Sequence, residues 1–440
     1  MPYELTYRPK LSFTLIGITL MGVVSSAFGQ EGSSLEAEKA KAIFSEAREI
    51  SDREGGRLWG EKLYGPMFFV DPETRAVIAN EADAEGNLQK QDDVYRGRLP
   101  KDVMVSNSPA EWAGKRWTML IWPTLPEEPL PRRIMLAHEM FHRIQPKLGL
   151  DAPDLLNGHL DTLEGRLWLQ LEWRALAAAL VADGAAQSRA IRDALAFRSK
   201  RRSLFPGAAK SESGLEIAEG VPEYTGLTAA APDTKAAYWH AVAQLTHPDA
   251  SISFVRSFAY ISGPPYGLLL DKRMPGWREK LSKQSDLGDL LQSSLAEATP
   301  VSAEERAGIY GVSAIRIAET DRAEKIAAQK ARYRALLVEG PTLTLPKAGS
   351  FRYSFNPSTL ISLGEAGTVY PTFHVTAAWG TLDVTDGVLV PPDSSSVTVA
   401  APADTEGPEI QGPGWTLNLA PEWHLAPSSK PGSYVVKKRQ

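Results

Sequence analysis

The sequence predicts an α+β chain: a small antiparallel sheet, a mainly helical stretch and then a C-terminal all-β module. Three observations predict it. Short runs of β-branched and aromatic residues, punctuated by Pro, Gly and Asp, fill residues 68–122. Apolar residues recur at helical spacing over much of residues 130–338. From Gly340 onward Thr, Val, Ser, Pro and Gly dominate and the helical period fades. The expected divisions are a leader at 1–29, a first domain at 30–338 and a β-sandwich-like module at 339–440.

The elements follow in order. Residues 34–52 read as a helix with Leu35, Ala42, Ile43 and Ile50 on one side. Residues 68–78 read as strand, turn, strand around Asp71-Pro72. Val103-Met104-Val105 and residues 117–122 read as further strands, the latter offering an edge on which an extended peptide can pair. The proline-rich run from Pro123 to Pro131 ends the sheet. Helical patterns then cover residues 161–182, 186–200, 212–224, 236–245 and most of 302–338. Residues 351–355 and 396–399 alternate as strands do.

Composition removes several functions. The 440 residues carry a net charge of -5, with 43% hydrophobic and 23% charged residues, so no basic footprint for nucleic acid exists. Cysteine is absent, which rules out disulfides, thiolate metal sites and a cysteine nucleophile. Any metal must be held by His, Asp or Glu. At the N-terminus Arg8 and Lys10 precede an apolar stretch at 11–24, and Ser25-Ser26-Ala27-Phe28-Gly29 supplies small residues at the cleavage positions. This pattern predicts a signal peptide cut before Gln30, a periplasmic or secreted protein and no membrane span once cleaved. An uncleaved anchor is the alternative, though the apolar run is short for a spanning helix.

The chemistry concentrates in Leu136-Ala137-His138-Glu139-Met140-Phe141-His142-Arg143-Ile144. Residues four apart stack on one helical face, so His138 and His142 can offer two imidazoles to one metal ion. Glu139, one position on, can reach a water activated by that metal. Two histidines do not complete a site. No histidine follows closely, so the third ligand is expected to be an acid: Glu164 or Glu172 on the next helix, Glu216, or Glu219 in Glu216-Ile217-Ala218-Glu219-Gly220-Val221-Pro222-Glu223-Tyr224. Glu223, four residues beyond Glu219, can hydrogen-bond the back of a ligand histidine. The bland alternative for Glu164 and Glu172 is ion pairing with Arg166 and Arg174.

With these motifs in view, the chain resembles the gluzincin metallopeptidases, the group of thermolysin and the aminopeptidase N-like enzymes. The resemblance covers about residues 115–275 in three short motifs. It implies a zincin-like catalytic domain, one Zn²⁺ held by His138, His142 and Glu219, and Glu139 as general base. It also implies that Tyr260, in Tyr260-Ile261-Ser262-Gly263 with the later Leu270-Asp271, stabilises the oxyanion; Tyr266 is a weaker candidate. Ser262 stands where those families usually have lysine, and no Gly-x-Met-Glu-Asn segment precedes the helix, which tilts the expectation toward an endopeptidase. Pro222 fits only if it lies in a first helical turn. The expected function is an exported zinc metallopeptidase acting on a peptide or protein substrate. Two alternatives remain: a catalytically inactive, zinc-stabilised binding protein of the cell envelope, and a zinc hydrolase of a non-peptide amide or ester. Trp168 and Trp173 are expected to pack, His159 to lie in a loop, and His240 to be a core histidine rather than a ligand.

Overall fold

The structure, a computed structural model, describes residues 36–439 except 154, 156, 249–251, 296–300, 350, 357–358 and 406. The leader expected at 1–29 lies outside the described residues. The chain is α+β, and its C-terminal quarter is strand-rich.

Helix α1 (Ala37–Glu54) buries Ala40, Phe44, Ala47 and Ile50, a stripe at helical spacing. This differs from the expected face: Ala42 is exposed and Ile43 only half-buried. Phe44 decides the orientation, because its ring stacks on Phe69 of the first strand at 4.9 Å.

Strands β1 (Met67–Val70), β2 (Ala76–Ala79), β3 (Gln89–Gln91), β4 (Val94–Arg98), β5 (Ser108–Trp112) and β6 (Lys115–Ile121) form one sheet in the order β3-β4-β2-β1-β6-β5. The sheet is mixed rather than antiparallel, because β1 and β6 run parallel. All four residues of β1 are buried, as a strand covered on both faces requires. Phe69 joins the helical core on one side; Phe68 packs with Trp112 and Trp117 on the other. Strand β6 lies between β1 and β5, so the edge expected along residues 117–122 is already paired; β5 and β3 are the edges. The expected strand Val103-Met104-Val105 is a loop. Arg75 draws it away from the sheet by donating to Leu99 O at 3.0 Å and Val103 O at 2.6 Å, and Met104 is left 80% exposed.

Helix α2 (Pro129–Ile144) follows, with Pro at the start where a missing N–H costs nothing. Its Leu136, Ala137, Met140 and Phe141 are fully buried. Then come α3 (Leu163–Val181), α4 (Gly184–Leu204), α5 (Ala208–Leu215), a wide turn at Glu216–Gly220, α6 (Val221–Ala230), α7 (Thr234–Thr246), α8 (Phe254–Arg273), α9 (Leu287–Ser293), α10 (Ala303–Ala307) and α11 (Val312–Arg334). Among the described residues no helix is long and apolar enough to cross a membrane.

A buried ionic cluster ties α3, α4, α5 and the wide turn together. Glu172, Arg198, Arg201, Glu212 and Glu216 are all buried. Arg198 donates to Glu216 at 2.7 Å, Arg201 to Glu212 at 2.8 Å, and the Tyr266 hydroxyl to Glu172 at 2.7 Å. Such charges are tolerated inside because each carboxylate meets a guanidinium; Arg198 Nε alone among these groups is left without an acceptor.

Strands between Thr342 and Lys438 form a seven-stranded and a five-stranded sheet. Leu343, Val397 and Val399 of one sheet share a core with Val375, Leu382 and Leu417 of the other. Tyr333, on the last turn of α11, closes one end. It packs with Leu363, Val369 and Leu389 and lies over Gly387, where a Cβ would come within 2.4 Å of its ring.

Candidate metal centre

The four-residue spacing on α2 sets the His138 and His142 rings 4.7 Å apart, with their Nε2 atoms at 3.0 Å. What meets them comes from the wide turn. There Val221 N–H donates to Glu216 O, an i→i+5 bond, so one extra residue is accommodated before α6 begins. Pro222 occupies the first turn of α6, where its missing N–H is harmless. Glu219 Oε2 stands 3.4 Å from both imidazole Nε2 atoms.

Two glycine contacts bring these elements together. At Gly226 a Cβ would lie 2.7 Å from Ile134 O, so only glycine lets α6 press on α2. At Gly263 a Cβ would lie 2.3 Å from Gly220 Cα, so only glycine lets α8 press on the turn. Tyr260 therefore arrives against the site. Its ring stacks on His138 at 5.5 Å and its hydroxyl donates to Glu219 Oε2 at 2.6 Å.

The outer contacts fix the imidazoles. His138 Nδ1 lies 2.7 Å from Glu223 Oε2, and His142 Nδ1 lies 2.7 Å from Gln145 Oε1. A carboxylate only accepts, so His138 Nδ1 carries the proton. The Gln145 amide nitrogen faces the carbonyls of Leu150, Ile217 and Ala218, so its oxygen faces His142, whose Nδ1 carries the proton too. Nε2 is thus the nitrogen each imidazole has left for a metal, and once a metal displaces any proton there the two Nε2 atoms and Glu219 Oε2 would give three lone pairs to one place. A tetrahedral zinc with bonds of about 2.0–2.1 Å needs donors about 3.3–3.4 Å apart. The two separations of 3.4 Å to Glu219 meet that requirement, and the 3.0 Å between the imidazoles is about 0.3 Å short of it. Among the described residues, His138, His142 and Glu219 are the group so arranged.

The electrostatics agree with a cation at this point. Burial lowers the basicity of His138, but its hydrogen bonds to Glu219 and Glu223 outweigh this and raise it to about 10. Burial pushes Glu219 up, yet His138 and His142 hold it well below the usual carboxylate range. Arg256, 47% exposed, donates from Nη2 to Glu219 Oε1 at 2.8 Å and supports the same ionised state. Glu139 is different. It is 3% exposed, its Oε2 has no hydrogen-bond partner, and burial pushes its carboxyl up against the pull of the two imidazoles. A buried carboxylate oxygen with nothing to accept from is costly unless a ligand or water completes it.

The other acids weighed from sequence are elsewhere. Glu164 pairs with Arg316 at 2.7 Å and accepts from Trp168 Nε1 at 3.0 Å. Glu172 and Glu216 belong to the buried ionic cluster; Arg166 and Arg174, the partners expected for Glu164 and Glu172, instead bond Glu319 at 2.8 Å and the carbonyl of Tyr310. Tyr266 is fully buried on Glu172, away from the centre. Ser262 is buried and accepts from Trp173 Nε1 at 2.8 Å. Asp271 accepts from Tyr224 at 2.7 Å and Trp277 at 2.9 Å, a brace between α6 and α8. His159 sits in a short turn on Glu212 at 2.8 Å, and His240 is half-buried on α7, outside the donor set.

Sequence reasoning missed Gln145 and Arg256. Gln145 lies three residues after His142, and Arg256 four before Tyr260; both spacings put them on the right helical faces. Comparisons of the chain with protein-family models, curated proteins and solved structures find no match.

Proposed function

We propose that this protein is an exported zinc metallopeptidase, with His138, His142 and Glu219 as the metal ligands and Glu139 as general base. The single observation that carries the reading is the convergence of two imidazole lone pairs and one carboxylate oxygen at 3.0–3.4 Å, beside the unpartnered buried carboxylate of Glu139. The mixed sheet ahead of α2 and the helices behind it are the surroundings a zincin-like domain would have. The N-terminal pattern at 1–29 supports export.

When bound, the zinc polarises the scissile carbonyl and makes water acidic enough to attack near neutral pH. The protein's residues do the rest. Glu139 would take the proton of the attacking water and return it to the leaving nitrogen. Glu223 and Gln145 hold the two imidazoles in the tautomer that presents Nε2. The Tyr260 O–H donates to Glu219 Oε2 in the structure, and for catalysis it would have to leave that oxygen for the one on which charge develops. Arg256 keeps the second oxygen of Glu219 occupied, so that Oε2 remains the donor.

The test is zinc content of the full chain, its Glu219→Ala and its Glu164→Ala variants, with a peptide-hydrolysis screen alongside. The expected result is one zinc per wild-type chain, loss in Glu219→Ala and retention in Glu164→Ala. Hydrolysis should be present in wild type and lost in Glu139→Gln. Zinc retained by Glu219→Ala would remove this ligand set. Zinc binding with no hydrolysis of peptides, amides or esters would favour the binding-protein alternative.

A further inference from the structure

We infer that Gln145 is a positioning residue that couples the two halves of the metal centre, so that zinc affinity depends on both ends of its amide. The inference rests on the zinc reading above. Gln145 is 5% exposed and caps the C-terminus of α2, where the helix tightens into the short turn Gln145–Leu148. Its Oε1 accepts from His142 Nδ1 at 2.7 Å. Its Nε2 faces three carbonyls: Leu150 at 3.1 Å, Ile217 at 3.0 Å and Ala218 at 3.3 Å.

The sequence places these groups far apart. His142 lies on α2, whereas Ile217 and Ala218 immediately precede Glu219 in the wide turn. That turn departs from ordinary helical bonding, so its carbonyls need outside donors. One buried amide supplies them and at the same time selects the His142 tautomer. An amide suits both tasks, because it has an acceptor at one oxygen and two donors at the nitrogen. A carboxylate in its place would meet the imidazole but oppose the carbonyls; an apolar side chain would do neither. Arg198 grips Glu216 at the start of the turn, so the residues that lead into Glu219 are held by a buried salt bridge and by the Gln145 amide.

The experiment compares zinc affinity, by competition with a chromophoric chelator, in the full chain and in its Gln145→Met and Gln145→Glu variants. Far-UV circular dichroism of each metal-free protein reports folding, and ¹⁵N-histidine spectra report the His142 tautomer. Removing an outer-shell partner of a ligand weakens metal binding by about 10–100-fold, and Gln145→Met is expected in that range with a mixed His142 tautomer. Gln145→Glu, nearly isosteric, is expected to keep the Nδ1-protonated tautomer yet still bind zinc about tenfold or more weakly, because losing the donor and aiming a carboxylate at three carbonyls displaces the turn by more than an anionic acceptor behind His142 restores. A Gln145→Glu protein that binds zinc as tightly as wild type would overturn the coupling to the turn. Unchanged affinity and tautomer in Gln145→Met would overturn the inference entirely. Wild-type protein that takes up no zinc would instead sink the metal-centre reading on which it rests.

Discussion

Replacing Gly263 by Ala tests whether the close approach of α8 to the wide turn builds the site. The added methyl would sit 2.3 Å from Gly220 Cα and 2.3 Å from Gly220 O, both backbone atoms that cannot rotate away. Carbon atoms pack at about 3.5–4.0 Å, so α8 and the turn must separate by more than about 1 Å. Overpacking of this kind costs about 1–3 kcal/mol. The movement also stretches the 2.6 Å bond from Tyr260 to the ionised Glu219, and hydrogen bonds to charged groups contribute about 1.5–3 kcal/mol. Alanine's better helix propensity offers little in return, because Pro264 follows directly and restricts the helical region of the residue before it. The net expectation is a loss of about 3 kcal/mol from these two terms. Urea denaturation of the metal-free chain measures it, with zinc affinity as a second readout. Gly308→Ala is the control, since a Cβ there meets nothing within 4 Å and the backbone is already helical (φ -59°, ψ -35°). If Gly263→Ala were as stable as Gly308→Ala and bound zinc equally well, the reasoning would be refuted.

Three further outcomes are expected. Glu139→Gln should lower peptide hydrolysis by about 10²–10⁴-fold at unchanged zinc content; a loss of zinc in this variant would mean that Glu139 is a ligand and not a base. Glu223→Gln should weaken zinc binding by about 10–100-fold, since the anionic acceptor behind His138 becomes neutral; chelator competition measures this, and an unchanged affinity would remove Glu223 from the centre. The buried ionic cluster should make the fold acid-sensitive. Asp286, half-buried at the cluster's margin, pairs with Arg198 at 3.3 Å and Arg202 at 2.5 Å. Burial pushes Glu212 and Asp286 up, but Arg201 for the one and Arg198 with Arg202 for the other outweigh it, and both carboxyls lie below their ordinary range. Their stabilisation is therefore present above about pH 4 and is lost as pH falls through the depressed values. Glu216, which burial pushes upward, contributes with the opposite slope. The urea midpoint should fall below about pH 4, and Glu212→Gln should show a lower midpoint at pH 7 with a shallower acid limb. An acid limb as steep as wild type in that variant would contradict the assignment.

What was legible from sequence follows from local physics. His138 and His142 had to share a helical face because four residues make about one turn. Leu343, Val397 and Val399 alternate with polar neighbours, so the change to strands after Gly340 was visible too. Glu223 behind His138 followed from its spacing to Glu219. The face of α1 was misjudged because Phe44 and Ile43 are equally apolar, and only the position of Phe69 chooses between them. The loop at Val103 was missed because a distant guanidinium, Arg75, captures its backbone. The edge assigned to residues 117–122 was wrong because strand order is a property of pairing, which a strand's own residues do not state.

The chemistry on offer is written in local spacing: two imidazoles on one turn, an acid beside them, no cysteine to compete and several acids able to complete a set. Which acid meets the imidazoles depends on how distant helices pack. Glu164, Glu172, Glu216 and Glu219 are alike as isolated carboxylates. Three are claimed by Arg316, Arg198 or Arg201, while the glycine contacts at 226 and 263 and the widened turn before Pro222 carry Glu219 to His138 and His142. Glu219 also meets a cation, but Arg256 takes its Oε1 and leaves Oε2 facing the imidazoles, so a carboxylate's role is set by which of its oxygens packing leaves open.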